Sequence, residues 1–310
     1  MSTRAAVIDL GTNTVRLLVA ELRPGAAWSA VHAEQRVTRL GEGLTPGGAL
    51  GETPMARTRA AVAGYVARAR KEGATIVRVV GTSAVREAAN GRAFADDLAA
   101  ATGARVDVIS GDDEARLTLR GLRRGLTLPA GAMIAFDIGG GSTEYVLARD
   151  GALTAAVSLR LGVVPLTERY PFAGPVEPAR FAALLEEVRA RLAGELPRDI
   201  ADAALDVLVG TAGTVTTLAA LDLDLAAYDP ERVHGHRLTR GAVDAQLARL
   251  GALPVEARGA LPCLEPGRAD LIVPGIAIVI ATMERLRADA LVVSEYGLRE
   301  GIMDLVSESP

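Results

Sequence analysis

Two short sequence phrases occur twice in this chain, in the same order and at nearly the same separation. An apolar run that ends in aspartate and enters a glycine turn occurs at Asp9 and again at Asp137. A second apolar run, which ends in Gly-Thr, occurs at Gly81 and again at Gly210. The spacing from the aspartate to this second glycine is 72 residues in the first copy and 73 in the second. A repeat of such long period predicts two related halves and not a solenoid array.

Strand-like and helix-like segments alternate along both halves. The apolar runs on either side of each glycine turn predict a β-hairpin, because a short turn between two such runs is a hairpin signal. Each Gly-Thr phrase ends a buried strand and begins a helix. This alternation predicts an α/β fold class, with the two halves meeting near residues 125–131.

Start and stop signals predict four helices between these phrases. A threonine cap or a proline in the first turn marks each start. We expect Thr53 to cap the first helix and Thr239 to cap the third. The fourth has no polar face, which predicts that it is buried. The expected helices cover residues 53–71, 177–193, a segment beginning at 239, and 274–287.

Composition excludes several classes of protein. The chain has 310 residues, 34 Lys and Arg against 38 Asp and Glu, and 49% hydrophobic residues, which excludes disorder and a basic nucleic-acid-binding chain. Its single cysteine, Cys263, cannot form a disulfide within the chain. The longest apolar stretch, Leu271–Met283, has 13 residues, whereas a membrane-spanning helix needs ~20. Asp9 interrupts the first apolar run, which argues against a signal peptide. We therefore expect a cytoplasmic protein that binds neither nucleic acid nor membrane.

The second glycine turn, Gly139–Thr143, is suited to hold phosphate. Its consecutive backbone N–H groups can form a nest, and the Ser142 hydroxyl adds a donor. Asp137 and Glu144 flank the turn and would repel phosphate unless a cation lay between, and oxygen ligands facing phosphates are typical of Mg²⁺. A plainer interpretation is a turn that only lets two strands pack, and a dinucleotide fingerprint would need a helix where a strand follows here. The repeat of the turn at Asp9–Thr14 predicts two nests that close on one polyphosphate.

Arg86 and Glu114 are candidates for chemistry at neighbouring strand ends. Arg86, on the short helix after Gly81, could hold a phosphate with two guanidinium N–H groups, although an ordinary surface arginine is an equal alternative. Ser110 and Asp113 fit a capping box, with Asp in place of the preferred Glu or Gln, which leaves Glu114 without a capping role. A carboxylate at this strand end could take a proton from water that attacks phosphorus. The alternative is that it only complements the helix dipole.

Two groups of side chains are weaker candidates. His234 and His236 could ligate a metal, but two histidines without a third ligand are usually structural. Arg120, Arg123 and Arg124 form a basic stripe that could steer a polyanion, and a solvated helix face explains it more simply.

Six phrases together carry a resemblance to a known family. The phrases are residues 9–13, 80–86, 109–115, 137–144, 210–214 and 297–301. With them, the chain resembles the exopolyphosphatase/guanosine pentaphosphate phosphohydrolase family over nearly its whole length. That family is similar in fold to actin, sugar kinases and Hsp70. The resemblance implies two duplicated actin-like (ribonuclease H-like) α/β domains around a central cleft, 1–127 with about 299–310, and 128–298.

The resemblance also implies an activity and residues for it. It implies hydrolysis of the terminal phosphoanhydride of inorganic polyphosphate, or of guanosine pentaphosphate, with Mg²⁺ or Mn²⁺. Glu114 would be the general base and Arg86 would bind phosphate. The metal ligands would be Asp9, Asp137 and Glu144. The phosphate-binding residues would be Gly11, Thr12, Asn13, Gly139, Gly140, Gly141, Ser142, Gly210, Thr211 and Gly213.

Two other functions stay open on the sequence alone. An actin-fold kinase would pass the γ-phosphate of ATP to a small acceptor, but no aromatic or polar pocket for a base is evident near Gly210. A non-catalytic sensor would bind nucleotide or polyphosphate and signal to a partner. We further expect a homodimer. Longer members of the family add a helical domain, so we expect this short form to be less processive or to prefer shorter polyphosphate chains.

Overall fold

Two compact units make up the chain in the computed structural model. The first comprises Met1–Leu122 with Leu298–Pro310, and the second comprises Arg123–Gly297. The boundary predicted between residues 127 and 128 falls at Leu128, which lies outside the described residues. The structure describes residues 3–23, 25–127 and 130–308.

The first unit contains a five-stranded sheet. Its strands are β1 (Thr3–Leu10), β2 (Thr14–Leu22), β3 (Ser29–Val37), β4 (Ala74–Gly81) and β5 (Arg105–Val108). Their order is β3-β2-β1-β4-β5. Strands β1, β2 and β3 pair antiparallel, whereas β4 and β5 run parallel to β1. The hairpin predicted around the first glycine turn is therefore confirmed.

Four helices accompany this sheet. The first begins at Glu52 with Gly51 as its N-cap, so the expected Thr53 cap is wrong. The reason is that Gly51 already holds the extended conformation that starts the helix, with φ −71° and ψ 151°. Pro54 is tolerated in the first turn because amides there have no intrahelical partner. The helices are α1 (Glu52–Lys71), α2 (Ser83–Glu87), α3 (Gly91–Thr102) and α4 (Gly111–Gly125).

The second unit repeats the sheet topology of the first. Its strands are β6 (Ala132–Ile138), β7 (Thr143–Arg149), β8 (Ala152–Leu159), β9 (Val207–Thr211), β10 (Arg237–Thr239) and β11 (Ala290–Ser294). Their order is β10-β11-β9-β6-β7-β8. Apart from β10, the arrangement matches the first sheet: β6, β7 and β8 pair antiparallel, and β9 and β11 run parallel to β6. The duplication predicted from the two repeated phrases is confirmed.

The helices of the second unit largely follow the predicted starts. The Thr239 hydroxyl accepts a hydrogen bond from the Ala242 amide at 3.1 Å, which confirms the predicted cap. The apolar helix begins at Ile272, two residues before Pro274, and is buried from Ile272 to Met283 as predicted. The helices are α5 (Val163–Arg169), α6 (Pro178–Glu195), α7 (Arg198–Ala201), α8 (Ala212–Asp222), α9 (Pro230–Val233), α10 (Arg240–Gly251), α11 (Val255–Gly259), a 3₁₀ helix (Pro266–Arg268) and α12 (Ile272–Arg285).

The last helix, α13 (Leu298–Glu308), returns the chain to the first unit. Its apolar residues Ile302 and Met303 pack with Ala5 and Val7 of β1 in a buried cluster. This packing places the start of α13 near the end of β1. Within the described residues, no helix combines the length and the apolar character that crossing a membrane requires.

Candidate active site

The parallel strands of the first unit end together at one edge of the sheet. Leu10 at the end of β1 lies beside Gly81 at the end of β4, and Gly81 lies beside Val108 at the end of β5. In α/β sheets, ligands bind outside the carboxyl ends of the strands. The loops and helix starts that follow these strands carry the residues predicted for this half, so the topology brings them to one edge.

The two glycine turns have the same geometry. The Gly11 amide donates to the Thr14 carbonyl at 3.2 Å, and the Gly139 amide donates to the Ser142 carbonyl at 2.9 Å. A Cβ atom would lie 2.9 Å from that carbonyl oxygen at Gly11 and 3.0 Å from it at Gly139. Both turns therefore need glycine at their first position, and the repeated phrase encodes one repeated backbone structure.

Thr12 and Asn13 follow the first of these glycines and are both buried. The Thr12 hydroxyl accepts a hydrogen bond from the Ala84 amide at 3.2 Å, which ties the turn to the start of α2. The Asn13 amide group donates to the Thr14 hydroxyl at 3.2 Å, whereas no described residue donates to its buried Oδ1 atom. A buried acceptor without a donor costs about 1–3 kcal/mol. This oxygen is therefore suited to a donor or a cation that arrives with a ligand.

The second turn is held from its carbonyl side by α5. The Val163 amide donates to Gly139 and the Val164 amide donates to Gly140, at 3.2 and 2.9 Å. A Cβ atom at Gly162 would overlap the Gly140 carbonyl oxygen and lie 2.5 Å from its carbonyl carbon. Glycine at 162 thus permits this contact, which the sequence analysis did not anticipate. With its carbonyls held, the turn can offer an anion the backbone N–H groups that follow Gly139, whose own N–H is used within the turn.

Equivalent cross-strand pairs in the two units carry different charges. Asp9 lies opposite Arg16 in the first unit, with carboxylate and guanidinium 3.7 Å apart. In the second unit Asp137 lies opposite Glu144, and like charges directly opposite each other are destabilising. Ser158, opposite Glu144 on β8, donates to its carboxylate at 2.6 Å. The side chains of Asp137, Glu144 and Ser158 thus place several oxygen atoms on neighbouring strands, an arrangement suited to binding a cation.

The residues predicted to ligate Mg²⁺ include two acids that lie opposite each other, Asp137 and Glu144. Among the described residues, no group of three or more His, Cys, Asp or Glu side chains could hold a metal ion. Mg²⁺ does not require such a group, because it usually keeps several waters and binds one or two carboxylates together with substrate phosphates. Asp137 and Glu144 provide two such carboxylates on neighbouring strands, and the Asp9 carboxylate lies 3.7 Å from the Arg16 guanidinium. The metal ligand set stays a prediction.

Asp9 is buried at the end of β1, with 6% of its surface exposed. Burial raises the pKa of this carboxyl, an effect that Arg16 and Arg299 oppose and that Glu300 reinforces. Arg299 donates to Glu300 at 2.8 Å, and Glu300 is itself buried. Residues 297–301 form one of the six phrases that carry the family resemblance, but no role was predicted for Arg299 or Glu300. Their position directly after a strand end was the available signal.

The two residues predicted to be catalytic contact each other. The Arg86 guanidinium donates to the Glu114 carboxylate at 2.8 Å and to the Ile109 carbonyl at 3.1 Å. Glu114 is buried, with 7% of its surface exposed. The Ser110 hydroxyl accepts from the Asp113 amide at 3.1 Å, which confirms that Ser110 caps α4. Arg86 therefore orients Glu114 in the first turn of α4, as well as being a candidate for binding phosphate.

The Gly210–Gly213 turn is held mainly by contacts within the second unit. The Thr211 hydroxyl donates to the carbonyls of Ser294 and Tyr296, at 3.0 and 3.2 Å, which ties the end of β9 to the end of β11. Ala212 has φ +69°, a left-handed conformation that is strained for a residue with a Cβ. A Cβ at Gly213 would lie 2.8 Å from the Arg268 guanidinium carbon. The Arg268 guanidinium thus lies directly against the turn at Gly213.

Tyr228 lies close to this turn, although the sequence showed no aromatic group there. Its hydroxyl donates to the Glu295 carboxylate. Burial and the Glu295 charge raise the pKa of Tyr228, which Thr216 and Arg268 oppose. These residues are far apart in the chain, so no local pattern predicts their meeting.

The two histidines serve structural roles. The His234 Nδ1 atom accepts from the Glu295 amide at 3.2 Å, so its Nε2 atom donates to the Gly125 carbonyl at 2.8 Å. His236 instead pairs with Asp222 at 2.7 Å. These hydrogen bonds are consistent with the structural explanation, which stays a prediction.

The repeated turns, the paired acids and the Arg86–Glu114 contact coincide with a match to a family model. The model of the Ppx/GppA phosphatase family matches residues 18–308. The chain belongs to this family. This membership confirms the predicted family and the predicted enzyme class, a phosphoanhydride hydrolase.

Individual relatives cover nearly the whole chain. Exopolyphosphatase 2 of Mycobacterium tuberculosis is 37% identical over 97% of both chains. A Vibrio atlanticus protein named guanosine-5'-triphosphate,3'-diphosphate pyrophosphatase is 30% identical over 96% of this chain and 58% of its own length. The crystal structure of the Aquifex aeolicus Ppx/GppA family member covers 100% of both chains, with 31% identity and a TM-score of 0.82. This structural similarity confirms the predicted actin-like α/β fold class.

Proposed function

We propose that the chain is an exopolyphosphatase that hydrolyses the terminal phosphoanhydride of inorganic polyphosphate. The observation that carries the proposal is the buried Glu114 carboxylate, held by Arg86 at the carboxyl edge of the first sheet. Such a carboxylate is suited to deprotonate water beside a phosphate chain. The name of the M. tuberculosis relative, which matches over 97% of both chains, supports the same substrate.

The reaction needs charge to be neutralised and water to be activated. Water oxygen attacks the terminal phosphorus while Glu114 takes one of its protons, and the bond from that phosphorus to the bridging oxygen breaks. Orthophosphate and a chain shorter by one phosphate are the products. Positioning and electrostatic stabilisation supply most of the rate in phosphoryl transfer. The N–H groups of the two glycine turns and the Arg86 guanidinium would provide them.

A divalent cation is part of the proposal. Asp137 and Glu144 would hold Mg²⁺ or Mn²⁺, with Ser158 orienting Glu144 from the neighbouring strand. When bound, the ion would neutralise phosphate charge. The second glycine turn would donate its N–H groups to phosphate, and Glu114 would accept the proton from water.

Guanosine pentaphosphate is the alternative substrate. It presents the same terminal anhydride, and the V. atlanticus relative bears the name of a guanosine phosphate hydrolase. Tyr228 and Glu295 lie near the Gly210–Gly213 turn. They offer an aromatic ring and a carboxylate, which are groups of the kind that contact a guanine base. The homodimer and the cytoplasmic location stay predictions.

One set of assays tests the proposal. Glu114→Gln should still bind polyphosphate but release phosphate about 100-fold or more slowly, since general base catalysis contributes 10²–10⁴-fold. The matched control is Asp112→Asn, which removes an exposed acid from the same first turn and should keep the wild-type rate. Wild-type turnover by Glu114→Gln would refute the assignment. Faster release from guanosine pentaphosphate than from short or long polyphosphate would favour the alternative substrate.

A further inference from the structure

Helices α13 and α4 are in backbone contact at Gly301. A Cβ atom there would overlap the Leu117 carbonyl oxygen, lie 2.7 Å from the Leu117 carbonyl carbon and lie 3.1 Å from the Gly121 nitrogen. Real Cβ atoms do not approach backbone atoms so closely, and a helical backbone cannot rotate away as a flexible side chain can. Any side chain at position 301 must therefore move one of the two helices.

The α13 helix is held in place on its other faces. Ile302 and Met303 are buried against the first sheet, and the Trp28 indole N–H donates to the Asp304 carboxylate. Because well-packed cores resist displacement, α13 cannot simply move away from a larger residue at position 301, and part of the strain is transmitted to α4.

A displacement of α4 would reach Glu114. Leu117 lies three residues after Glu114 on the same helix, within one turn. Glu114 accepts a hydrogen bond at 2.8 Å from Arg86, a residue of a different helix, α2. A shift of about 1 Å would lengthen this contact beyond the normal range of a hydrogen bond. The orientation of the Glu114 carboxylate therefore depends on position 301 having no side chain.

We propose that Gly301 is a positioning residue for Glu114, acting through the α13–α4 contact. Because Gly301 has no side chain, α13 packs closely against α4. This close packing fixes the position of α4 and therefore the position of the Glu114 carboxylate beside Arg86. This role rests on the proposed function of Glu114 as the general base. It assigns the last helix of the chain a part in catalysis without any contact to the substrate.

The test compares kcat and binding in Gly301→Ala. We expect kcat for phosphate release to fall about 100-fold, the loss that a 1 Å misplacement can cause, while polyphosphate binding stays within about twofold. The key measurement is the same substitution in the Glu114→Gln background. If Gly301 acts only through Glu114, Gly301→Ala should change the residual rate of Glu114→Gln by no more than about twofold. The reason is that substitutions acting on the same catalytic group are not additive.

Two control variants separate positioning from packing. Gly64→Ala places alanine at an exposed position of α1 with nothing within 4 Å and should leave kcat unchanged. Val306→Ala removes buried methyl groups from α13 itself and should lower thermal stability without changing kcat. Should Gly301→Ala fold poorly, Gly64→Ala is added as a stabilising background. In every variant kcat is expressed per polyphosphate-binding molecule, measured by calorimetry.

The outcomes distinguish this proposal from the proposed function. Full activity in Glu114→Gln would overturn the general base assignment and this role together. A slow Glu114→Gln with a wild-type rate in Gly301→Ala would overturn only the positioning role. The role would also be overturned if Gly301→Ala lowered the rate about 100-fold again in the Glu114→Gln background.

Discussion

Removal of the Arg86 guanidinium should destabilise the first unit measurably. Arg86→Ala takes away two hydrogen bonds, one to the Glu114 carboxylate at 2.8 Å and one to the Ile109 carbonyl at 3.1 Å. The Glu114 side chain is 9% exposed and that of Arg86 is 21% exposed. Breaking a fully buried ion pair costs about 3–5 kcal/mol. Because Arg86 is partly hydrated, we expect about 2–3 kcal/mol in the free energy of unfolding.

The chain contains its own probe for this measurement. Trp28 is its single tryptophan, and it is buried in the first unit beside α13, with 5% of its surface exposed. Tryptophan fluorescence during urea unfolding therefore reports on the unit that contains Arg86. With an m-value of about 2 kcal/mol per molar urea, the expected loss lowers the unfolding midpoint by about 1–1.5 M.

Two variants decide whether the reasoning is correct. Arg92→Ala breaks an exposed i,i+4 pair with Asp96 and should cost less than about 0.5 kcal/mol. Arg86→Ala combined with Glu114→Gln should recover most of the lost stability, because the buried Glu114 charge is then removed together with the guanidinium that pairs with it. Equal losses in Arg86→Ala and Arg92→Ala, or no recovery in the double variant, would contradict this account.

Three further predictions follow from individual contacts. Burial raises the pKa of Asp9 in the folded protein. The contribution of this carboxyl to stability is therefore fully present below its ordinary pKa and is lost as the pH rises through the raised pKa. Asp9→Asn should therefore be more stable than wild type at pH 8 but equal to it near pH 3, in urea titrations; a gain that is independent of pH would refute this. Gly162→Ala should weaken polyphosphate binding at least about tenfold by displacing the second glycine turn, whereas Gly174→Ala, with nothing within 4 Å, should bind normally. Ser158→Ala should weaken Mn²⁺ binding about 10–100-fold in calorimetry through the Glu144 carboxylate, and unchanged affinity would exclude that role.

Some features of the site could be predicted because their cause is local. A glycine turn that follows an aspartate has the same hydrogen bond in both copies, at Gly11 and at Gly139. Thr239 and Ser110 cap their helices through amides only three residues away. Backbone conformation and short-range hydrogen bonds depend on a few neighbouring residues, so a single sequence carries them.

One feature was present in the sequence but was used in only one of its two copies. Asp9 and Asp137 are each followed seven residues later by a charged residue, and the hairpin register places each pair side by side. The partners are Arg16 in one copy and Glu144 in the other. A fixed turn length determines the register of a hairpin, so the contrast between an acid–base pair in the first unit and an acid–acid pair in the second could have been predicted.

The sequence by itself determined the duplication, the α/β order and the chemistry of each strand end, because all of these follow from periodicity and short-range geometry. Only the tertiary structure decided which distant groups meet. It paired Arg86 with Glu114 across 28 residues, joined Tyr228 to Glu295 across 67, and pressed Gly301 against α4. Such contacts arise from how helices and sheets pack around a shared core, and no local pattern records them.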